Sequence, residues 1–442
     1  MNAKLLTRRS FITQFGTAFA GALTTRAALA QGAPISGSGD QTREIQRLIN
    51  EATRRNRPAI LPSGTFVVSN LTLPDGCDLR GTGAKTILRS SGNGPAISAR
   101  DAFSVSLSAL TVYAGRLNAS VENTGAVDFR NVAAVDLTDI RILNSSSDGL
   151  YVERCGGTIS GCSIQKAARF GIFAVESAGL TVADNTVSGC ANGGIIVQRW
   201  SPAADGTRVL RNKIKTIGAG RGGTGQWGNG INVFQAHGVM VDKNAISGCA
   251  FSAIRMNSAH DTMITNNRCT DSGETAIYAE FAYRNVIITN NEIDGAANGI
   301  SATNLNDGGR GALIQFNKIK NLTAPGPYKP EAPFFGHGIS VEADGIVTDN
   351  IIENANGYGI NIGWGPYLDN VDVARNLIVD AEIGIGVSVA EGAGRARITD
   401  NKIRARNGSI RTHQWDKIGM DDLITTSARL PRNILLERNL AL

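Results

Sequence analysis

Apolar and polar residues alternate with a period of two through most of this chain, the mark of strands that turn one face inward. One such run recurs as Gly149-Leu150-Tyr151-Val152, Gly194-Ile195-Ile196-Val197, Gly230-Ile231-Asn232-Val233, Gly299-Ile300-Ser301-Ala302, Gly338-Ile339-Ser340-Val341 and Gly359-Ile360-Asn361-Ile362. Between these runs a second phrase returns, x-Asn-x-Ile/Val, with its asparagine at 185, 212, 244, 291, 317, 350, 376 and 401. No segment in this stretch has a 3.6-residue period long enough for a helix. Only Asp40 to Asn56 does: Ile45, Leu48, Ile49 and Ala52 lie at helical spacing, and Pro58 closes the segment.

Spacing turns the pattern into a fold. With Leu110, Ile140 and Cys162 standing where later repeats carry Asn, and Asn267 included, the series from Leu110 to Asn401 covers 291 residues in eleven steps, about 26 residues each. A strand before the Asn, a shorter one after it, a Gly-rich turn and the Gly-Ile-x-Val strand make one turn of a coil. Stacked in parallel register, such turns predict an all-β solenoid: a single-stranded parallel β-helix of about twelve coils, roughly 60 Å long. The Asn column is expected to bond its amides up the stack, in a left-handed turn that Asn tolerates. The helix before the first coil is expected to cap the open end.

The N-terminus reads Thr7-Arg8-Arg9-Ser10-Phe11-Ile12, a mildly apolar stretch from Phe15 to Leu23, and Ala28-Leu29-Ala30 before Gln31. A charged region, an apolar region and a small-x-small site describe a secretory leader, and the paired arginines point to the twin-arginine route. The expected organisation is a leader over residues 1–30 cleaved after Ala30, a linker and capping helix over 31–58, and the β-helix with a C-terminal cap over 59–442. The pattern lapses after His413 and returns once at Asn433-Ile434-Leu435-Leu436-Glu437-Arg438-Asn439.

These features together resemble the right-handed β-helix superfamily of pectate lyases, polygalacturonases and alginate epimerases, over roughly residues 60 to 442. Pro62-Ser63-Gly64-Thr65-Phe66 and Leu79-Arg80-Gly81-Thr82-Gly83 are similar to the opening coil of pectin-lyase-like proteins. With the leader, the chain resembles the twin-arginine-translocated β-helix repeat proteins of bacteria. The resemblance implies a right-handed coil and a polysaccharide ligand; fold alone does not specify chemistry.

Composition narrows the partners. Residues 1–30 hold Lys4, Arg8, Arg9 and Arg26 and no acid, so the net charge of +6 falls to +2 without them. A nucleic-acid partner loses its electrostatic support. Past the leader nothing is apolar for long enough to span a bilayer, so a periplasmic or secreted protein is expected, its partners a polysaccharide and the translocation machinery. The cofactor stays open, since no metal or nucleotide motif is present; the Gly-rich stretch 218–230 lacks a Gly-Lys-Ser/Thr ending and opens no helix. The six cysteines have no C-x-x-C spacing and read as small buried side chains.

Candidate chemistry lies on the outward positions of the Gly-Ile-x-Val strand. One column there reads Asn232, Arg255, Tyr278, Ser301, Ser340, and its neighbour Phe234, Asn257, Glu280, Thr303, Glu342. Two long insertions map to the turn before this strand: Lys215 to Asn229, with Trp227, and Asn321 to Gly336, with Tyr328, Phe334 and Phe335. Insertions on one face of a repeat protein mark a binding face. Asn232, Phe234, Asn257, Trp227 and Tyr328 are the expected substrate-binding residues.

Arg255, Tyr278, Glu280, His260, His337 and Glu342 are the expected catalytic residues. Arg255, Tyr278 and His260 would serve lysis or epimerisation of a uronate, which needs a base and a cation. Glu280 and Glu342, two coils or about 9.6 Å apart, would serve glycoside hydrolysis as an inverting pair. His237 and His260 stack one coil apart; they are a base or metal pair, or hydrogen-bonded turn residues. Gly336-His337-Gly338 resembles a polygalacturonase segment. The coils before it, Gly273-Glu274-Thr275-Ala276 and Ala296-Ala297-Asn298-Gly299, lack the aspartates that family places there. The alternative to an enzyme is an envelope or matrix protein whose solenoid binds carbohydrate as a rod.

Overall fold

The computed structural model describes residues 39–92, 94–115, 122–223, 225–328, 335–425 and 430–442. The leader and its cleavage site, the linker before Gly39, and Phe334 lie outside the described residues.

From Ala59 onward the chain winds as a β-helix whose strands pair in parallel with those one turn earlier and one turn later. The strand centred on Ile231 shows the register: Asn232 lies beside Arg255, Arg255 beside Tyr278, Tyr278 beside Ser301, Ser301 beside Ser340, and Ser340 beside Asn361. Residues about two dozen positions apart in sequence are therefore neighbours in space. Inside the coil, Ile, Val and Leu of successive turns stack with no solvent contact, as at Ile231, Ile254, Ile277 and Ile300.

The asparagine column forms as the pattern predicts. Asn244 Nδ2 donates to Asn267 Oδ1 at 2.9 Å, Asn267 to Asn291 at 3.0 Å and Asn291 to Asn317 at 3.0 Å, with the backbone N–H of each Asn bonded to the same oxygen. The ladder runs from Cys162, whose N–H reaches Asn185 Oδ1, to Asn439. The left-handed residue, however, is the one before each Asn. Asp184, Arg211, Lys243, Asn266, Phe316 and Arg375 all have φ near +55°, as does every other residue in that column from Asp184 to Arg438. Five side-chain types fill this conformation, each at about 1–2 kcal/mol of strain. The hydrogen-bonded asparagine that follows offsets it, and its own φ is not positive.

The helix Thr42–Arg54 closes the N-terminal end, with Ile45 and Ile49 fully buried. Its polar side chains satisfy the unpaired edge of the first coil. Gln46 bonds both N–H and C=O of Thr72 (2.9 and 2.7 Å), and Thr42 Oγ1 accepts from Ser69 N–H at 2.8 Å. At the other end, Ile410–Gln414 and Lys417–Asp422 form an antiparallel hairpin, after which Ile434–Glu437 rejoins the solenoid beside Ala396–Thr399. All six cysteines are unpaired and buried, and desolvation raises their thiol pKa, to about 12 at Cys190 and Cys249. No helix among the described residues is long and apolar enough to cross a membrane.

Candidate functional site

The outward face is not the open sheet that the alternation predicts. Over the earlier coils its column reads Tyr151, Phe173 and Ile196, which are apolar and need cover. Together with Phe170 and Val175 they form a second small core outside the coil. Trp227 packs against it, its ring 5.6 Å from that of Phe170. The loop holding Trp227 thus has a packing reason to lie across this face, and it extends over the next coil. Gly225, at φ +123°, sits on the Arg255 guanidinium, where an added Cβ would lie 1.7 Å from Nη1. No residue other than glycine fits there.

Under that loop, Arg255 joins two glutamates. Its Nε and Nη2 donate as a fork to the carboxylate of Glu280, the Nε bond at 2.9 Å, while Nη1 reaches Glu274 Oε2 at 3.2 Å. Asn257 Nδ2 also donates to Glu280, at 2.8 Å. Ser252 Oγ donates to Glu274 at 3.3 Å, and Tyr328 OH donates to its other oxygen. The Tyr278 ring lies 5.0 Å beneath the guanidinium. All three charged residues are buried, Glu274 to 1% exposure, and burial raises the Glu274 pKa above the usual carboxylate range. One coil earlier, Asn232 Oδ1 is shielded from solvent and accepts no hydrogen bond.

Of the expected catalytic residues, the structure brings Arg255, Tyr278 and Glu280 together, with Asn257 and Tyr328 from the expected binding set. Phe234 lies next to Asn257 in register. Glu342 is elsewhere. The register Ala279 to Ala302 to Val341 puts Thr303 between it and Glu280, and its Oε2 accepts the Leu305 N–H at 2.7 Å. Burial raises its pKa to about 7. His260 stacks on His237, the rings parallel and 4.1 Å apart, and bonds the Ala282 carbonyl and the His237 ring. His337 stacks on Tyr358 at 5.1 Å and accepts the Tyr358 N–H at its Nδ1.

Glu274 is the member that sequence reasoning passes over. Its segment aligns with the place where polygalacturonases carry an aspartate, and the longer side chain reads there as a departure. Glu274 lies within the strand Arg268–Glu280, at the break in register between Ser272 and Thr275, one coil after Arg255.

Comparison with known proteins gives the class. The family profile for the right-handed β-helix region matches residues 125–212 and 203–403, and the chain belongs to that family. Among solved structures it is similar to the Dettilon tailspike protein, at 16% identity and a TM-score of 0.50, covering 86% of this chain and 67% of that one. It is also similar to the N-terminal fragment of bacteriophage phi29 gene product 12, at 12% identity and 0.51, covering 85% and 67%. The A-module of a mannuronan C-5 epimerase from Azotobacter vinelandii is similar at 15% identity and 0.47, covering 93% and 97%. At these identities the likeness is one of fold. No curated protein matches the sequence.

Proposed function

We propose that this is an exported polysaccharide-binding and -modifying protein whose site is the Arg255–Glu274–Glu280 cluster beneath Gly225 and Tyr328. The observation that carries the reading is the pair of buried glutamates held by one guanidinium, the first with a raised pKa and a tyrosine hydroxyl on it. Both carboxylates lie within hydrogen-bond reach of the same guanidinium, so two carboxyls converge on one site, as glycosidic chemistry requires. Glu274, whose pKa burial raises, is the candidate proton donor to a departing sugar oxygen, with Glu280 as its partner carboxylate. Arg255 offers a cation for a uronate carboxylate or for charge that develops beside it. The unfilled acceptor Asn232 Oδ1 gives a hydroxyl somewhere to donate.

A second reading has one specific observation behind it. Arg255 is fully paired and covered, as in an internal tie, and a solenoid that binds carbohydrate as a rod needs no more. Against it stands Glu274, a buried carboxyl of raised pKa at the same guanidinium, which a binding rod does not need.

Mature protein, expected to begin at Gln31 when recovered from the periplasm, separates the two on a panel of neutral and uronate polysaccharides. New reducing ends or unsaturated products are expected, falling at least about 100-fold in Glu274→Gln and Arg255→Ala. Turnover of no polymer, or turnover unchanged in both variants, overturns the enzymatic reading.

A further inference from the structure

The outward face continues past the Arg255 cluster. Its column runs in unbroken register through Ser340, Asn361 and Gly386 to Arg411, and three aromatic rings gather at that end: Trp364, Tyr367 and Trp415. Two tight turns present them. Trp364 and Tyr367 face each other across Gly365-Pro366, joined by reciprocal backbone hydrogen bonds of 3.1 and 3.0 Å, and Ser388 Oγ pins the Gly365 carbonyl at 2.6 Å. Trp415 stands at the tip of the antiparallel hairpin with φ +57°, a conformation that bulky side chains avoid and that the hairpin imposes.

The arrangement leaves one ring open. Trp364 and Tyr367 meet the Trp415 indole nearly edge-on, at 5.8 and 6.3 Å. Gly365, at φ +55°, lies flat on it, since an added Cβ would come within 2.5 Å of the ring. The indole is packed on the Gly365 backbone on one side, yet 46% of Trp415 stays exposed.

Behind the rings lies a polar atom with unused bonding capacity. His413, 1% exposed, sits between the rings of Tyr358 (5.7 Å) and Trp364 (6.0 Å) and is hydrogen-bonded to the Trp415 backbone, which ties the hairpin to the other rings. Asn361 Oδ1, also buried, has no hydrogen-bond partner. A buried polar group left unpaired costs free energy until something completes it. A half-exposed aromatic cluster backed by such a group suits a ligand that is apolar on one side and hydroxylated at its edge, which describes a sugar ring.

We propose that Trp415, Trp364 and Tyr367 form a sugar-stacking subsite, placed to hold a distal unit of the chain engaged at Arg255. Asn361 is four coils from Arg255 on the same face, about 19 Å at the usual strand spacing. The identity of the ligand rests on the polysaccharide reading above; the site itself rests on the aromatic geometry.

Tryptophan fluorescence tests it, with gluco-, manno- and uronate hexasaccharides as probes. At least one series is expected to quench the wild-type signal, with Kd at least tenfold weaker in Trp415→Ala and intermediate in Trp415→Phe. The Phe variant keeps a ring on the hairpin and serves the comparison should the Ala variant not fold. Quenching is expected to persist in Glu274→Gln, which separates this subsite from the Arg255 cluster. No quenching by any probe, or a Kd within twofold of wild type in Trp415→Ala, overturns the proposal. So does a dimer that Trp415→Ala dissociates with no saccharide effect, which would make the platform a face for a second copy. Failure of the polysaccharide-modifying reading would appear separately, as turnover indifferent to Arg255→Ala.

Discussion

Glu342 and Glu274 are both buried carboxyls on or beside the outward strand, and their surroundings assign them different work. Glu342 is held by the backbone N–H groups of Leu305 and Asn304 rather than by a cation, and burial raises its pKa from an ordinary 4.5 to about 7. The unfolded chain ionises this group first, so between pH 4.5 and 7 unfolding releases a proton and stability falls as pH rises. The stabilisation is fully present below 4.5 and lost by passage through about 7, a difference of about 3 kcal/mol. Glu342→Gln keeps the acceptor without the charge. Urea midpoints measured from pH 4 to 8 should therefore fall with pH in wild type relative to the variant, and parallel curves would refute the assignment. This contrast was only partly legible in sequence. Arg255, Tyr278 and Glu280 stand at the expected column positions because alternation determines which side of a strand a residue takes. Glu274 was passed over because it sits where the register of its strand shifts, between Ser272 and Thr275, and Glu342 was over-read because its place in the column says nothing of the Leu305 backbone that folds onto it.

At the scale of the element, the asparagine ladder holds one corner of every coil. Asn267 donates to Val241 O, Thr265 O and Asn291 Oδ1, and its own oxygen accepts from Asn244 twice. Asn267→Ala leaves several of these groups buried without partners and should cost on the order of 3 kcal/mol or more. Asn439→Ala, at the partly exposed end of the ladder, should cost under about 1 kcal/mol because water replaces the lost bonds. Denaturant melts of the two variants give the comparison; equal losses would mean that the ladder carries no stability of its own. The column was plain in sequence. The left-handed residue beside it was not, because Asp, Arg, Lys, Asn and Phe share no chemical signature there, only a common neighbour.

The whole molecule behaves as a stack with a repeat length, so changes that preserve phase should be tolerated. Leu377 pairs with Lys402, so removing Leu377–Asn401 joins Asn376 to Lys402 with the ladder still in step, 25 residues shorter. That deletion is expected to yield a folded β protein by circular dichroism, its melting point lowered by a few degrees. Removing about half as many residues from the same place turns inward side chains outward and should leave the chain unfolded. Two equally folded products would contradict a register-controlled stack.

The sequence by itself determined the coil, its period, its capped start and the residues that share an outward column, because period-two alternation and a fixed repeat are local properties that stacking copies from turn to turn. Only the tertiary structure decided what that outward face becomes. The second core around Phe170 draws the Trp227 loop across it, Gly225 and Tyr328 close over Arg255, and two unrelated turns bring Trp364 and Trp415 together. These contacts join segments of irregular length, and the place where such segments settle depends on the packing of the whole face, which no local pattern encodes.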